Sequence, residues 1–437
     1  MPKRKTALTI EERLQQALVP AEEQPYEVPE NWVWVRLGAI AEIVTGGTPS
    51  KKHPEYYGGN FPFYKPSDLD QGRLTYDASE YLSEEGKNVS RIIPKNSTAV
   101  CCIGSIGKCG YLMCEGTTNQ QINSAIPKIN SLCLYYYLCT ENFVQDLLSM
   151  ASATTIAIVN KSKMESCAFP LPPLSEQQRI VERIEELLAK LDEAKERLQE
   201  VADSFAVRKA AILHKAFTGE LTKQWRRENG VRDESWEEKK LSEITENQDS
   251  KRIPLSKSQR DNMNRIYDYY GASGIIDKVD DYIFEGKKLL IGEDGANLVT
   301  RSKDIAFIAD GKYWVNNHAH ILDVKDTVLL MYLCNYINNM DLIPYVTGSA
   351  QPKLTQAKMN NIKIFLPTLP EQHEIVRLID DLLARERAAQ QAAEQALASI
   401  DLMKKSILAR AFRGELGTNK ASEASALELL KQVLAEN

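Results

Sequence analysis

The strongest constraint on this chain of 437 residues is that part of its sequence occurs twice. The segment LSEQQRIV at 174–181 returns as LPEQHEIV at 369–376, and AFTGEL at 216–221 returns as AFRGEL at 411–416. Both pairs have the same offset of 195 positions (174 to 369, 216 to 411). A gapless repeat of this length predicts two copies of one structural framework.

A looser similarity precedes each copy of the repeated segment. The matching stretches are ENW at 30–32 with ESW at 234–236, IGSIG at 103–107 with IGEDG at 291–295, and NQQ at 119–121 with NNH at 316–318. The remainder of these regions differs between the two halves. This pattern indicates one framework that presents two different specificities.

The repeated segment has the pattern of a long helix. Apolar residues such as Ile180, Ile184, Leu187 and Leu191 recur every three or four positions, and no Gly or Pro interrupts 175–218. Gly219 and Gly414 are the expected ends of the two helices. A narrow apolar seam of this kind predicts a coiled coil, and about 40 helical residues span roughly 60 Å. We expect the two copies to pair antiparallel. The alternative is an amphipathic helix that packs only on its own domain.

The regions between the helices read as mixed α and β structure, with buried strands expected at 99–103 and 288–291 and helices at 134–148 and 328–337. The expected fold class is therefore α+β: two mixed α/β domains, separated by two long antiparallel helices that form a coiled coil, with an internal pseudo-two-fold repeat. The expected divisions are an N-terminal helical segment at 1–24, a first domain at 25–167, a first long helix at 168–221, a second domain at 222–362, a second long helix at 363–416, and a helical tail at 417–437.

Composition narrows the classes of protein to consider. The 54 Lys and Arg residues are outnumbered by 60 Asp and Glu, so the net charge of −6 argues against a protein that coats nucleic acid, although a local positive groove remains compatible with it. Eight cysteines without an export signal predict reduced thiols and a cytoplasmic location. The absence of an apolar run of about 18 residues predicts no contact with a membrane.

Complete catalytic or metal-binding motifs are not evident. Asp281, Glu285 and Lys287 fit a nuclease pattern loosely, and a metal-dependent nuclease stays an alternative hypothesis. His318 and His320 would share one face of a strand, but no third ligand is evident. The cysteines at 101, 102, 109 and 114 lack metal-site spacing. We therefore predict no catalytic, cofactor or metal residues, which favours a binding subunit.

Several of these motifs carry a resemblance to a known family. The residues LPPLSEQQRIV and LPTLPEQHEIV, the helix ends AFTGEL and AFRGEL, the opening ENWVWVRLG and the loop TGGTPS resemble the specificity subunit of type I restriction–modification enzymes. The resemblance extends from about Glu11 to the C-terminus. Two departures are Thr368, in place of a proline in the second copy, and Glu386, in place of the seam residue Leu191.

The resemblance implies a DNA-recognition subunit without catalytic activity of its own. Each variable domain would be a target recognition domain that reads one half of a bipartite site in double-stranded DNA, and the helices would fix the spacer between the halves. Two modification subunits, which use S-adenosylmethionine, would dock on the chain. Restriction subunits that use ATP and Mg²⁺ would complete the enzyme where they are present. A structural coiled-coil adaptor without a DNA role is a further alternative.

Polar and basic loop residues are the candidates for DNA contact, because base edges are read by hydrogen-bonding side chains. In the first domain the candidates are Lys51, Lys52, Lys65, Ser67, Ser105, Lys108, Asn119 and Gln120. In the second domain they are Lys251, Arg252, Tyr270, Ser273, Arg301, Asn316 and Asn317.

Overall fold

A computed structural model describes residues 9–152, 157–348 and 351–436. The chain divides into two compact units. One unit comprises the described residues up to Arg197 together with those from Ala396 onward, and the other comprises Leu198–Gln395. Each unit holds one β-rich domain and parts of the long helices.

The first domain alternates short strands with short helices. Its strands are β1 Val33–Arg36, β2 Ala41–Thr45, β3 Tyr57–Tyr64, β4 Glu80–Leu82, β5 Thr98–Cys101, β6 Cys109–Tyr111, β7 Thr117–Thr118, β8 Ile122–Pro127 and β9 Ala168–Leu171. Its helices, including the segment before the domain, are α1 Ile10–Ala17, α2 Leu37–Ile40, α3 Glu84–Asn88, α4 Ser131–Leu138, α5 Glu141–Met150 and α6 Lys161–Ser166.

Three small sheets make up this domain. The largest has the strand order β2-β8-β5-β6 with antiparallel neighbours throughout. A second sheet has the order β4-β3-β7, in which β3 and β7 run parallel. Strands β1 and β9 form a separate antiparallel pair where the chain enters and leaves the domain.

The predicted single helix from Leu134 to Leu148 was wrong, because the structure divides it into α4 and α5. Between them, Thr140 has an extended backbone, and its hydroxyl accepts a hydrogen bond from the amide of Phe143. Thr140 therefore caps a new helix, since threonine at this position satisfies an amide that lacks a helical partner.

The first long helical segment comprises α7 Leu174–Asp203 and α8 Phe205–Phe217. The expected uninterrupted helix is therefore divided at Ser204, whose hydroxyl bonds back to the carbonyl oxygen of Glu200 (2.6 Å). Serine side chains that bond four residues back compete with the helical backbone and bend it. The predicted end at Gly219 is confirmed, because this glycine adopts φ +75°, a conformation that favours glycine.

The second domain repeats the sheet topology of the first. Its strands are β10 Glu237–Lys240, β11 Glu246–Asn247, β12 Tyr267–Gly271, β13 Gly274–Val279, β14 Phe284–Glu285, β15 Lys288–Gly292, β16 Ala306–Ala309, β17 Lys312–Val315, β18 Ala319–Asp323 and β19 Lys363–Leu366. Its helices are α9 Lys223–Glu228, α10 Leu241–Ile244, α11 Lys257–Arg260, α12 Asn297–Thr300, α13 Thr327–Asn339 and α14 Gln356–Asn360. The order β11-β18-β15-β16 matches β2-β8-β5-β6, and β12 lies parallel to β17 as β3 does to β7.

The chain ends with the long helix α15 Leu369–Ala411 and the short helix α16 Ala426–Ala435. In the first unit, Asp192 of α7 forms an ion pair with Lys404 of α15 (2.5 Å), and Glu176 near the start of α7 bonds to Thr418 beyond the end of α15. The residue number rises along one helix as it falls along the other. The two helices are therefore antiparallel in this unit.

The second unit shows the same direction independently. Arg208 of α8 bonds to Glu386 of α15 (2.5 Å), and Thr222 beyond α8 bonds to Glu371 near the start of α15 (2.7 Å). The expected α+β class, with two β-rich domains and long helices packed together, is confirmed. Some apolar side chains of these helices are not covered, since Val207, Leu402 and Met403 are each at least half exposed.

The repeated SEQ and PEQ motifs form buried joints between each domain and the helices. In the first unit, Glu176 is fully buried and accepts hydrogen bonds from the indole of Trp32 (2.7 Å), from Thr418 (3.1 Å) and from Asn419 (2.8 Å). The neighbouring Gln177 donates to the carbonyl oxygen of Pro172 (3.0 Å). The motif therefore has a structural role at the base of the domain.

In the second unit, the equivalent Glu371 is equally buried but has other partners. Its Oε1 accepts from Thr222 (2.7 Å) and from the Arg226 guanidinium (2.6 Å). Gln372 donates to the carbonyl oxygen of Pro367 (2.7 Å), as Gln177 does to Pro172. Phe217 at the end of α8 packs edge-on against Tyr332, as Phe412 at the end of α15 packs against Tyr137 in the first unit.

Candidate nucleic-acid interface

Three loops meet at one edge of the first domain. The amide of Gly46 donates to the carbonyl oxygen of Ile122 (2.9 Å), the amide of Gly47 to that of Thr118 (2.8 Å), and the amide of Cys102 to that of Gln121 (2.7 Å). These bonds bring the loops 46–53, 102–108 and 118–122 together. The predicted residues Lys51, Lys52, Ser105 and Gln120 lie exposed on them.

Gly46 allows this close approach of two loops. A Cβ atom at this position would lie 2.2 Å from the carbonyl oxygen of Asn119. Real Cβ atoms do not come that close to a backbone atom, so any other residue would separate the loop from its neighbour. The glycine in the TGGTPS segment is thus required by the packing of the loop edge.

The side chains of Asn119 and Asn316 stabilise the turns in which these residues lie. Both side chains are buried, and each Oδ1 accepts the amide hydrogen two residues ahead, from Gln121 (3.0 Å) and His318 (2.8 Å) respectively. These are Asx turns, in which the side chain replaces a backbone acceptor. The sequence placed both residues correctly at equivalent loops, and the structure shows that their oxygen atoms are used within the chain.

The other predicted residues of the first domain lie close to this edge. The ammonium of Lys65 pairs with Glu80 (2.8 Å) and that of Lys108 with Asp70 (2.7 Å), while Ser67 is exposed. Each lysine is about a third exposed, so both ion pairs remain accessible to solvent. Ion pairs of this kind are weak and can exchange partners when a phosphate approaches.

The second domain presents a corresponding edge. The amide of Gln248 donates to the carbonyl oxygen of Ile321 (2.9 Å), the amide of Glu293 to that of His318 (2.8 Å), and the amide of Leu354 to that of Glu293 (2.8 Å). These bonds join the loops that carry Lys251 and Asn317, both of which are exposed. Ser273 is exposed in the turn between β12 and β13.

Arg252 lies at this edge, but its guanidinium points inward. It donates to Glu293 (2.7 Å) and to the carbonyl oxygen of Ala319 (2.8 Å), and its ion pair with Asp249 measures 3.4 Å. Although burial raises the pKa of Glu293, the hydrogen bond from Arg252 and the nearby charge of His320 hold that pKa below its usual range. Arg252 therefore holds two acidic loops together.

The side chains of Arg301 and Tyr270 are taken up by contacts within the domain. The Arg301 guanidinium donates to the carbonyl oxygens of Ile337 (3.2 Å) and Met340 (2.5 Å), where it satisfies the last turn of α13, and burial lowers its pKa. The ring of Tyr270 is buried between aromatic neighbours, which raises the pKa of its hydroxyl. Neither side chain is therefore part of the contact set proposed below.

Three polar residues at these edges were missed in the sequence. Thr48 donates to the amide oxygen of Gln120 (2.5 Å), Arg91 donates to the carbonyl oxygen of Thr45 (2.6 Å), and Lys353 pairs with Glu293 (3.1 Å) while half exposed. Thr48 lies in the TGGTPS segment that already carried the resemblance, so its loop was recognisable. Arg91 and Lys353 lie in segments without any repeated motif.

The residues of the nuclease hypothesis do not form a metal site. Asp281 accepts the amide hydrogen of Tyr282 (2.8 Å), and Lys287 lies 4.0 Å from Asp310. Among residues 9–152, 157–348 and 351–436, no group of three or more His, Cys, Asp or Glu side chains could hold a metal ion. Burial raises the pKa of the Cys102 thiol to about 12, which keeps it protonated. Within the same part of the chain, no helix is long and apolar enough to cross a bilayer.

Two domains of one topology, each with a polar loop edge and joined to paired helices, define a class of protein with two recognition modules. The family model for the type I restriction modification DNA specificity domain matches residues 29–203 and 233–396. These matches cover both domains and most of the helices. The chain therefore belongs to the DNA specificity subunits of type I restriction–modification systems, which are non-catalytic components of the complex.

Curated relatives agree with this assignment. The chain is 25% identical to the EcoDI specificity subunit of Escherichia coli, over 94% of this chain and 96% of that one. It is 40% identical to a putative specificity subunit of Haemophilus influenzae, over 33% of this chain and 37% of that one. The HsdS subunit from Thermoanaerobacter tengcongensis has the same fold, with a TM-score of 0.65 and 18% identity, over 90% of this chain and 99% of that structure.

Proposed function

We propose that each domain reads one half of a bipartite site in double-stranded DNA. The observation that carries this proposal is the pair of equivalent loop edges, because both domains present exposed polar and basic side chains at the same place in one sheet topology. Such side chains recognise base edges and phosphates. The proposed contacts are Lys51, Lys52, Lys65, Ser67, Ser105, Lys108, Gln120, Lys251, Ser273, Asn317 and Lys353.

The acidic net charge of the chain is consistent with this proposal. Six of these eleven contacts are lysines, so both edges offer positive side chains although the chain carries −6 overall. Partner subunits would supply further phosphate contacts. We propose that two modification subunits, which bind S-adenosylmethionine, dock on the chain, with ATP and Mg²⁺ used by restriction subunits where these assemble.

The exposed apolar residues of the helices support docking of another protein. Leu402 is 68% exposed and Met403 is 50% exposed in the first unit, and Val207 is 71% exposed in the second. Exposed apolar side chains on the helices are compatible with a surface that another protein covers. We propose that the modification subunits bind here and that the helices set the length of the unread spacer.

An insertion into both helices tests this function. Four residues would be added after Arg197 in α7 and four after Gln395 in α15. Both insertions fall between the contacts Asp192–Lys404 and Arg208–Glu386, so both helices are lengthened in the same stretch. The helices would lengthen by about 6 Å, which corresponds to one or two base pairs. We expect methylation mapping in cells that also express the modification subunit to show a longer spacer with both half-sites unchanged.

The same mapping separates the alternatives. An unchanged spacer would refute the role of the helices as a ruler, and altered half-sites would refute independent reading by the domains. Absence of sequence-specific methylation with the unaltered chain would favour a structural adaptor. Cleavage of DNA by the isolated chain with Mg²⁺ would favour the nuclease hypothesis.

A further inference from the structure

One titratable side chain in the second domain is buried at the centre of the loop edge. His320 lies on β18 and is 1% exposed. Its Nδ1 is 2.5 Å from Oδ2 of Asp249, and its Nε2 is 2.7 Å from the carbonyl oxygen of Leu354. The ring therefore connects β18 to the loop after β11 and to the segment before α14.

The two hydrogen bonds fix the charge of this ring. A carbonyl oxygen can only accept, so Nε2 carries a hydrogen. Oδ1 of Asp249 accepts the amide hydrogen of Ile321 (2.8 Å), and its Oδ2 lies 3.4 Å from the Arg252 guanidinium, so this carboxyl group is held as an ionised acceptor. Nδ1 must then carry a hydrogen as well. His320 is an imidazolium cation in this arrangement.

The surrounding charges belong to the same loops. Oε2 of Glu293 lies 3.8 Å from Nδ1 of His320, and Glu293 itself pairs with Arg252 and Lys353. Arg252 also pairs with Asp249. The five side chains thus bring together the loop after β11, the loop after β15, β18 and the segment at 353–354. Three of these carry or adjoin the proposed contacts Lys251, Asn317 and Lys353.

The first domain has a neutral pair at the equivalent place. In the register of β2 and β8, Thr45 lies opposite Asn123, and its hydroxyl donates to Oδ1 of Asn123 (2.8 Å). The Asn123 amide donates to the carbonyl oxygen of Val159 (3.4 Å), which lies 195 positions before Leu354. Thr45 and Asn123 therefore stand where Asp249 and His320 stand in the second domain.

We propose that His320 is a positioning residue for the second half-site, and that its cationic form holds the contact loops of the second domain in their reading arrangement. This inference rests on the proposed function, because it assigns the second domain its own half-site. The first domain achieves the same connection with uncharged groups. Recognition of the second half-site should therefore depend on pH, whereas recognition of the first should not.

The wild-type complex provides the first measurement. The full chain, assembled with its modification subunits, is titrated with duplexes that contain the mapped site, with base changes in either the first or the second half. Discrimination is the ratio of the two affinities, intact over altered. A neutral ring could not donate to both Asp249 and Leu354, so we expect discrimination at the second half-site to be lower at alkaline pH than at acidic pH. Discrimination at the first half-site should stay constant.

Two variants separate positioning from general stability. His320→Asn keeps a donor for Leu354 but turns an amide oxygen toward the Asp249 carboxylate, and we expect discrimination at the second half-site to fall about tenfold. Adding Asp249→Thr rebuilds the pair of the first domain and removes one positive and one negative charge together. This double variant should regain discrimination and lose its pH dependence. His214→Gln, which alters an exposed histidine on α8, is the matched control.

Each outcome decides a separate question. If base changes in neither half affect wild-type binding, the proposed function fails. If both halves are discriminated but share one pH profile, flat or sloping, the inference about His320 fails while the function stands. The inference also fails if His320→Asn weakens both halves equally, or if the double variant folds and does not regain discrimination. Thermal unfolding of each complex identifies a variant that simply does not fold.

Discussion

The two joints between domain and helix contain the same motif but different hydrogen bonds. In the first unit, the buried carboxylate of Glu176 has three neutral donors, which are Trp32, Thr418 and Asn419. In the second unit, the buried carboxylate of Glu371 has Thr222 and one cation, Arg226. Among the described residues, Oε2 of Glu371 and the indole nitrogen of Trp236 have no hydrogen-bond partner.

This difference shows how one repeated motif can be buried in two joints that offer different hydrogen-bond donors. A buried carboxylate is stable only when hydrogen bonds or a counter-charge compensate for lost hydration. The segment 418–419 supplies the donors in the first joint, whereas α9 supplies the guanidinium in the second. The repeated motif therefore specifies that a carboxylate is buried, and the non-repeated segments decide how it is compensated.

Removal of the cation should have the largest effect on this comparison. Arg226→Met would leave the Glu371 carboxylate buried with Thr222 as its one remaining partner. We expect the free energy of unfolding of the second unit to fall by about 3 kcal/mol or more, because an uncompensated buried charge is expensive. Hydrogen exchange of peptides from 237–366, followed by mass spectrometry, measures this loss separately from the first unit.

Arg179→Met is the matched control for that change. Arg179 forms two hydrogen bonds with Glu423 (2.9 and 2.8 Å) in the first unit, but both side chains are more than a fifth exposed. Solvent compensates for the loss of such a pair, so the expected effect is about 1 kcal/mol. Equal effects of the two variants would show that burial at Glu371 does not govern the stability of its joint.

The indole donors provide a second, smaller test. Trp32→Phe removes the hydrogen bond to Glu176, whereas Trp236→Phe removes an indole nitrogen that has no partner among the described residues. Both variants remove the same part of the indole ring, which is buried at Trp32 and partly buried at Trp236. We expect Trp32→Phe to cost about 1–3 kcal/mol more than Trp236→Phe in the free energy of unfolding of its own unit. A reversed order would mean that the indole of Trp236 does donate to Glu371 in solution.

The structural features predicted correctly from the sequence are those that follow from residue periodicity and from the internal repeat. The duplicated segments identified the paired helices, and the glycines at 219 and 414 predicted where they end, since both adopt a positive φ. The strands beside the IGSIG and IGEDG turns were also found at β5 and β15. These features arise from local patterns or from the repeat, and both are visible without knowledge of long-range contacts.

The same patterns could not predict hydrogen bonds and ion pairs between residues that are distant in the sequence. Lys251 and Arg252 are neighbours in the sequence, yet Lys251 is exposed and Arg252 is bonded to Glu293, which lies 41 positions away. Likewise, the Arg301 guanidinium donates hydrogen bonds to carbonyl oxygens at the end of α13. Whether a basic side chain faces DNA or its own chain depends on acceptors brought in by the fold, and no local pattern records them.

The ion pair within the helical seam gives the test with the smallest expected effect on the comparison between the two units. Arg208 and Glu386 interrupt the apolar seam of the second unit, and their counterparts at an offset of 195 are Met403 and Leu191 in the first. Each single change, Arg208→Met or Glu386→Leu, leaves one partly buried charge without its partner and should cost about 1 kcal/mol. The double variant places at both positions the apolar residues that the first unit has there. Because desolvation of a buried ion pair offsets much of its attraction, we expect the double variant to be as stable as the original chain or slightly more so. Thermal unfolding of the four chains gives the coupling directly. If the double variant were clearly less stable than the original chain, the ion pair would be a net stabilising contact, and the residues of the two units would not be interchangeable at these positions.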